Sequence, residues 1–116
     1  MNKNLPFTLE TLLEQCGGNR EIGKIILDEF LEQIVADTRE IASSLASGDL
    51  SQAGRVGHRL KGSAGVLGAE ALQTLCLELE TAGKAGNAEE AAKIFADLNA
   101  EADRCTAAVP TAKAML

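Results

Sequence analysis

Apolar residues recur along this chain at spacings of three and four and nowhere alternate over a strand-length run, a pattern that predicts helices throughout. The first spans about Thr8 to Cys16: Thr8 stands where an N-cap is expected, Leu9, Leu12, Leu13 and Cys16 form one face, and Gly17-Gly18 ends it. Asn19 can cap the second, which reaches about Ala46 because neither Gly nor Pro falls between Lys24 and Ser47. Its apolar face reads Ile22, Ile26, Phe30, Ile34, Ile41 and Leu45, with Asp37-Thr38 the place where it could bend. Gly48 breaks the chain, and Asp49 with Gln52 resembles a capping box for a third helix, about Leu50 to Val66. Gly68 ends that one; the fourth runs from about Ala69 to Ala85 and turns Leu72, Leu75, Cys76 and Leu79 to the core. After a Gly86-Asn87 turn, with Asn87 and Glu90 as another capping box, the last helix carries Ala91, Ile94, Phe95, Leu98, Ala102, Cys105 and Val109. Pro110 is expected to stop it and leave Thr111–Leu116 frayed.

Four longer helices with short connections imply an all-α fold, an antiparallel up-down four-helix bundle with a short additional N-terminal helix at one end. Residues 1–116 read as a single domain with an ordered core from about 7 to 109. Only 3% of residues are aromatic and there is no Trp or Tyr, so the core is built from Leu, Ile, Val and Ala. The formal charge of −6 argues against nucleic acid and anionic membranes as partners. Arg55, Arg59, Lys61 and Lys84 can still form a local basic patch. Cys16, Cys76 and Cys105 each fall at an apolar helical position and read as small core residues of a reducing compartment. One histidine and no paired-cysteine motif give no support for a metal site. No apolar run approaches the ~20 residues that span a bilayer, and Glu10 and Glu14 interrupt the N-terminal segment where a signal peptide would be apolar. The expectation is a cytoplasmic monomer.

The chemistry concentrates at His58, the only histidine. At about 100° per residue, Val56, Leu60 and Leu67 cluster on one side of the third helix, with Ala53 and Ala64 at the edge. His58 points the other way, among Ser51, Gly54, Arg55, Lys61, Gly62 and Gly65. A core histidine is therefore excluded by direction. An incidental surface histidine does not explain Gly54, Gly57, Gly62 and Gly65, each costing about 1 kcal/mol against Ala within a helix. These glycines suggest room for close approach, and Lys61 is one helical turn from the ring.

His58-x-x-Lys61-Gly62-Ser63-Ala64-x-x-x-Gly68-Ala69 resembles the signature of histidine-containing phosphotransfer (HPt) domains of multistep phosphorelays. The resemblance extends from about Phe7 to the last helix and includes the Phe30 region, Gly48-Asp49 and Leu79-Glu80. It implies the same bundle, a His58 that accepts a phosphoryl group from a receiver-domain aspartate and passes it to another receiver, and a hybrid sensor histidine kinase upstream. Lys61 would offset the phosphate charge. Arg55, Arg59, Gly62, Gly65, Leu77 and Lys84 would meet the partner. Some family members place a carboxylate or amide from the following helix on the histidine. Gln73, Leu77, Glu80 and Lys84 lie along one flank of that helix, so Glu80 either holds Nδ1–H or forms an ordinary i,i+4 pair with Lys84. Neither a Gly-rich nucleotide loop nor an acidic set for Mg²⁺ is present, so no cofactor and no autokinase activity are expected, and Mg²⁺ would belong to the receiver. A non-catalytic adaptor on the same bundle is the competing reading. The dimeric histidine domain of a sensor kinase is disfavoured, because Arg59 follows the histidine where that motif is acidic.

Overall fold

A computed structural model describes residues 5–116, and all regular structure among them is helical. The helices are α1 (Leu9–Gln15), α2 (Arg20–Ala46), α3 (Leu50–Val66), α4 (Glu70–Ala85) and α5 (Ala88–Met115). The side chains of Asn19, Asp49 and Asn87 each accept a backbone N–H three residues on, at 3.0–3.1 Å, and so satisfy one of the N–H groups that a helix start leaves unpaired. Thr8 makes no such bond; its own N–H instead donates to the Leu67 carbonyl at 2.9 Å and ties α1 to the end of α3. Gly86 closes α4 with φ of 70°, a left-handed conformation that a residue with a Cβ resists.

α2 to α5 form a ring in which α3 packs on α2 and α4, and α5 packs on the same two from the other side. α1 lies across one end against α2 and α3, where Phe7 and Phe30 meet edge to face, centroids 6.4 Å apart. Leu27, Ile34, Ile41, Leu60, Leu72, Leu79 and Leu98 are fully buried at the centre. Among the described residues, no helix is long and apolar enough to cross a membrane.

The buried face of α2 differs from the predicted one. It is Gly23, Leu27, Phe30, Ile34, Asp37, Ile41 and Ser44, alternating by four and three in the seven-residue repeat that long packed helices adopt. Ile22 falls off this seam and is 44% exposed, and Ile26 and Leu45 are only partly buried. The seam includes Asp37 and Ser44, polar residues that an apolar pattern cannot select. α5 also departs from expectation. It continues through Pro110 to Met115, although a proline inside a helix removes one hydrogen bond and crowds the preceding turn, at a cost of ~3 kcal/mol. Tertiary contacts offset it: Ala112 is fully buried, Lys113 pairs with Asp28 of α2 at 2.9 Å, and Leu116 lies over Gly23.

The crossing of α3 and α4 is built from glycine. A Cβ on Gly83 would stand 2.7 Å from the Leu50 carbonyl oxygen and 3.2 Å from the Gly54 Cα. One on Gly57 would meet the Cys76 carbonyl at 3.2 Å, and one on Gly54 the Glu80 backbone at 3.5 Å. Gly54 and Gly57 thus admit a neighbouring helix, not an approaching partner. Gly62 differs: a Cβ there meets nothing within 4 Å. We expect Gly83→Ala to lower unfolding free energy by ~1–3 kcal/mol through overpacking, and Gly62→Ala to raise it by up to ~1 kcal/mol through helix propensity. Urea unfolding of both variants measures the contrast.

Candidate functional site

The close crossing delivers Glu80 of α4 to His58 of α3. Nδ1 of the ring lies 3.0 Å from Glu80 Oε2, the His58 side chain being 65% exposed and that of Glu80 12%. Lys61 donates to the other carboxylate oxygen at 2.8 Å, and Lys84 reaches Oε2 at 3.3 Å. The Lys61 hydrogen bond is the main force holding the Glu80 carboxyl down to about 2 from its ordinary 4.5; burial opposes it, and His58 and Lys84 add to it. An ionised carboxylate can only accept, so Nδ1 carries a proton, and in the neutral form of the ring the lone pair sits on Nε2. Glu80 therefore makes both contacts that the sequence left as alternatives, the ring and Lys84.

A hollow beside the ring is lined by Ser51, Gly54, Arg55, His58, Glu80 and Lys84. Gly62 is open one turn further along α3, whereas Gly65 is partly covered by Gln73 of α4, whose Nε2 stands 2.9 Å from where a Cβ would be. Leu77 is 50% exposed but borders a separate groove between α4 and α5, with Thr81, Ala85 and Ile94.

Arg59 turns to the opposite flank of α3 and is engaged there. It donates to the buried Asp37 at 2.6 Å and to Glu40 at 3.0 Å, which raises its own pKa, Asp37 contributing most. Gln52 donates to Glu40 at 2.6 Å and is the first cause of that carboxyl's lowered pKa, ahead of Arg59. Gln33 donates to Asp37 at 3.1 Å and accepts from Ser63 at 2.7 Å. Sequence reasoning missed Asp37, Glu40, Gln33 and Gln52. The seven-residue spacing of Phe30, Asp37 and Ser44 was the available signal for Asp37.

The profile of the Hpt domain matches residues 25–108, from the second turn of α2 to the last turns of α5. The chain belongs to the Hpt domain family. It is a histidine phosphotransfer protein of the kind used in phosphorelays, a phosphocarrier on a helical bundle. The Hpt fold recurs in histidine-containing phosphotransfer protein B of Pseudomonas aeruginosa PAO1, at 18% identity and TM-score 0.88, over 100% of this chain and 99% of that one. It recurs also in the HPT domain of a sensor hybrid histidine kinase from Shewanella, at 21% identity and TM-score 0.82, over 96% of each chain. No match was found among curated proteins.

The depressed Glu80 carboxyl gives this Hpt domain a defined acid response. Its folded value of about 2 lies below the ordinary 4.5, so the stability it contributes is complete above about 4.5 and is lost as pH falls toward 2. The margin by which the wild type exceeds Glu80→Gln is expected to narrow as pH falls from about 4.5 toward 2. Urea midpoints of the two proteins across that range test it, since the remaining carboxylates titrate in both.

Proposed function

We propose that His58 is the phosphorylated residue and that it exchanges the group with receiver-domain aspartates, taking it from one receiver and giving it to another. The observation that carries this reading is the 3.0 Å contact between Nδ1 and Glu80 beneath a ring that is 65% exposed. In the neutral imidazole the contact puts the proton on Nδ1 and the lone pair on Nε2, which is the form a nucleophile needs. Nε2 attacks the phosphorus of an aspartyl phosphate; the P–N bond forms as the P–O bond breaks, and the aspartate leaves as carboxylate with the electron pair. The proton on Nδ1 stays, and the positive charge gained by the ring is met by Glu80. In the return step the electron pair of the P–N bond goes back to Nε2, and the leaving group is a neutral imidazole rather than an imidazolate.

The chain's own residues thus accept, orient and release. The aspartate and Mg²⁺ belong to the receiver, and a hybrid sensor histidine kinase is the expected source of the phosphoryl group. With no nucleotide loop in the sequence, this reading gives the chain a carrier's role and leaves the autokinase step to the kinase. Open space over Gly62 gives the receiver a place to seat next to the ring, with Arg55 on the same exposed side of α3. An adaptor role would leave the His58–Glu80 contact without a use.

Two substitutions test this reading with a phosphorylated receiver as donor. His58→Gln is expected to abolish labelling while melting as the wild type does, because the side chain is exposed; a fully labelled variant would remove His58 from the reaction. Gly62→Gln is expected to melt no lower than wild type yet transfer poorly, as the side chain enters the seat of the receiver. Normal transfer by a normally melting Gly62→Gln would move the docking surface elsewhere.

A further inference from the structure

Lys61 and Lys84 both touch Glu80 but are not equivalent. Lys61 lies against the bundle, 24% exposed, with a 2.8 Å bond to Oε1. Lys84 is 77% exposed and meets Oε2, the oxygen already taken by the imidazole, at 3.3 Å. To reach a phosphoryl group, Lys61 would have to abandon a short charge-assisted bond and leave a nearly buried carboxylate without it, the costly way to break an ion pair. Lys84 gives up only a long, solvent-exposed contact of little worth. It also lines the hollow beside His58, and Arg55 stands in the same lining. Arg55 donates from Nε to Gln52 at 3.0 Å, and no carboxylate among the described residues pairs with its guanidinium.

Phosphorylation itself would favour the exchange. Once Nε2 carries the phosphoryl group, the ring with its Nδ1 proton is formally cationic. It then draws Glu80 Oε2 to itself and repels the lysine that shares that oxygen. The displaced ammonium has a phosphoryl dianion within reach in the same hollow.

We propose, resting on the reading of His58 as the phosphorylated residue, that Lys84, with Arg55 beside it, is the cation that holds the phosphoryl oxygens, and that Lys61 is a positioning residue that keeps Glu80 on Nδ1. The role that the His-x-x-Lys spacing suggests for Lys61 passes to a residue on the neighbouring helix.

Phosphoramidate serves as donor and removes the receiver from the measurement: its P–N bond breaks as the bond to Nε2 forms, and ammonia leaves. ³¹P NMR then follows the titration of the phosphoryl group in wild type, Lys84→Met, Lys84→Arg and Lys61→Met, and ¹⁵N NMR of the unlabelled proteins reports the His58 tautomer. Removing a cation that holds the dianion raises the phosphoryl titration midpoint. Lys84→Met is expected to raise it by about half to one unit, a three- to tenfold change in proton affinity, with Lys84→Arg restoring it and neither altering the tautomer. Lys61→Met is expected to populate the Nε2–H tautomer and to move the phosphoryl midpoint less. A wild-type midpoint in Lys84→Met, or a raised midpoint in Lys61→Met alone with the tautomer intact, would overturn the assignment. Failure of wild-type His58 to take any label is a different outcome, and it would overturn the His58 reading on which this one rests.

Discussion

The distance between two helix backbones governs this site. α3 and α4 cross where Gly83 faces Gly54 and Leu50, and where Gly57 faces the Cys76 carbonyl. Ordinary side chains on both helices would hold the axes further apart. The crossing sets Glu80 3.0 Å from the His58 ring, within the range where a hydrogen bond fixes a tautomer. The glycines are therefore as much part of the site as the charged groups, though none of them touches the imidazole.

α3 is held by carboxylates on both flanks, and the two sides are built differently. On the α4 side a single carboxylate serves the imidazole and two lysines. On the α2 side two carboxylates serve one guanidinium, with Gln52 and Gln33 filling further acceptor positions. Asp37 is 2% exposed and would be a costly buried charge without Arg59. One residue beyond His58, that arginine fixes the rotation of α3 about its own axis. Its neighbour's ring is thereby aimed outward from one side and held by Glu80 from the other.

Much of this was legible in the sequence, for local reasons. Helix starts are marked by Asn19, Asp49 and Asn87, whose caps act over three residues. The outward direction of His58 follows from helical periodicity alone. Glu80 could be placed on the right flank of α4, but its contact with the ring depends on how closely two helices approach, which no single helix encodes. For the same reason Gly54 and Gly57 looked like space for a partner until the neighbouring helix filled it. Asp37 was hidden because a polar residue in a packing seam looks like a solvated one when hydrophobicity is the only guide. Pro110 was read by its local effect, and the contacts of Ala112, Lys113 and Leu116 with distant parts of the chain outweigh that effect.

The three cysteines divide unequally. Burial is the main reason that the thiols of Cys76 and Cys105 are pushed up to about 12, so both stay protonated at neutral pH and closed to electrophiles. Cys16 is only partly buried, at the end of α1 beside the Gly17-Gly18 turn and outside the hollow around His58. A chain with neither Trp nor Tyr is nearly dark in ultraviolet fluorescence. That one accessible thiol is where a fluorophore or spin label can be installed on the unaltered protein, to follow partner encounters from a position that leaves the imidazole and its carboxylate undisturbed.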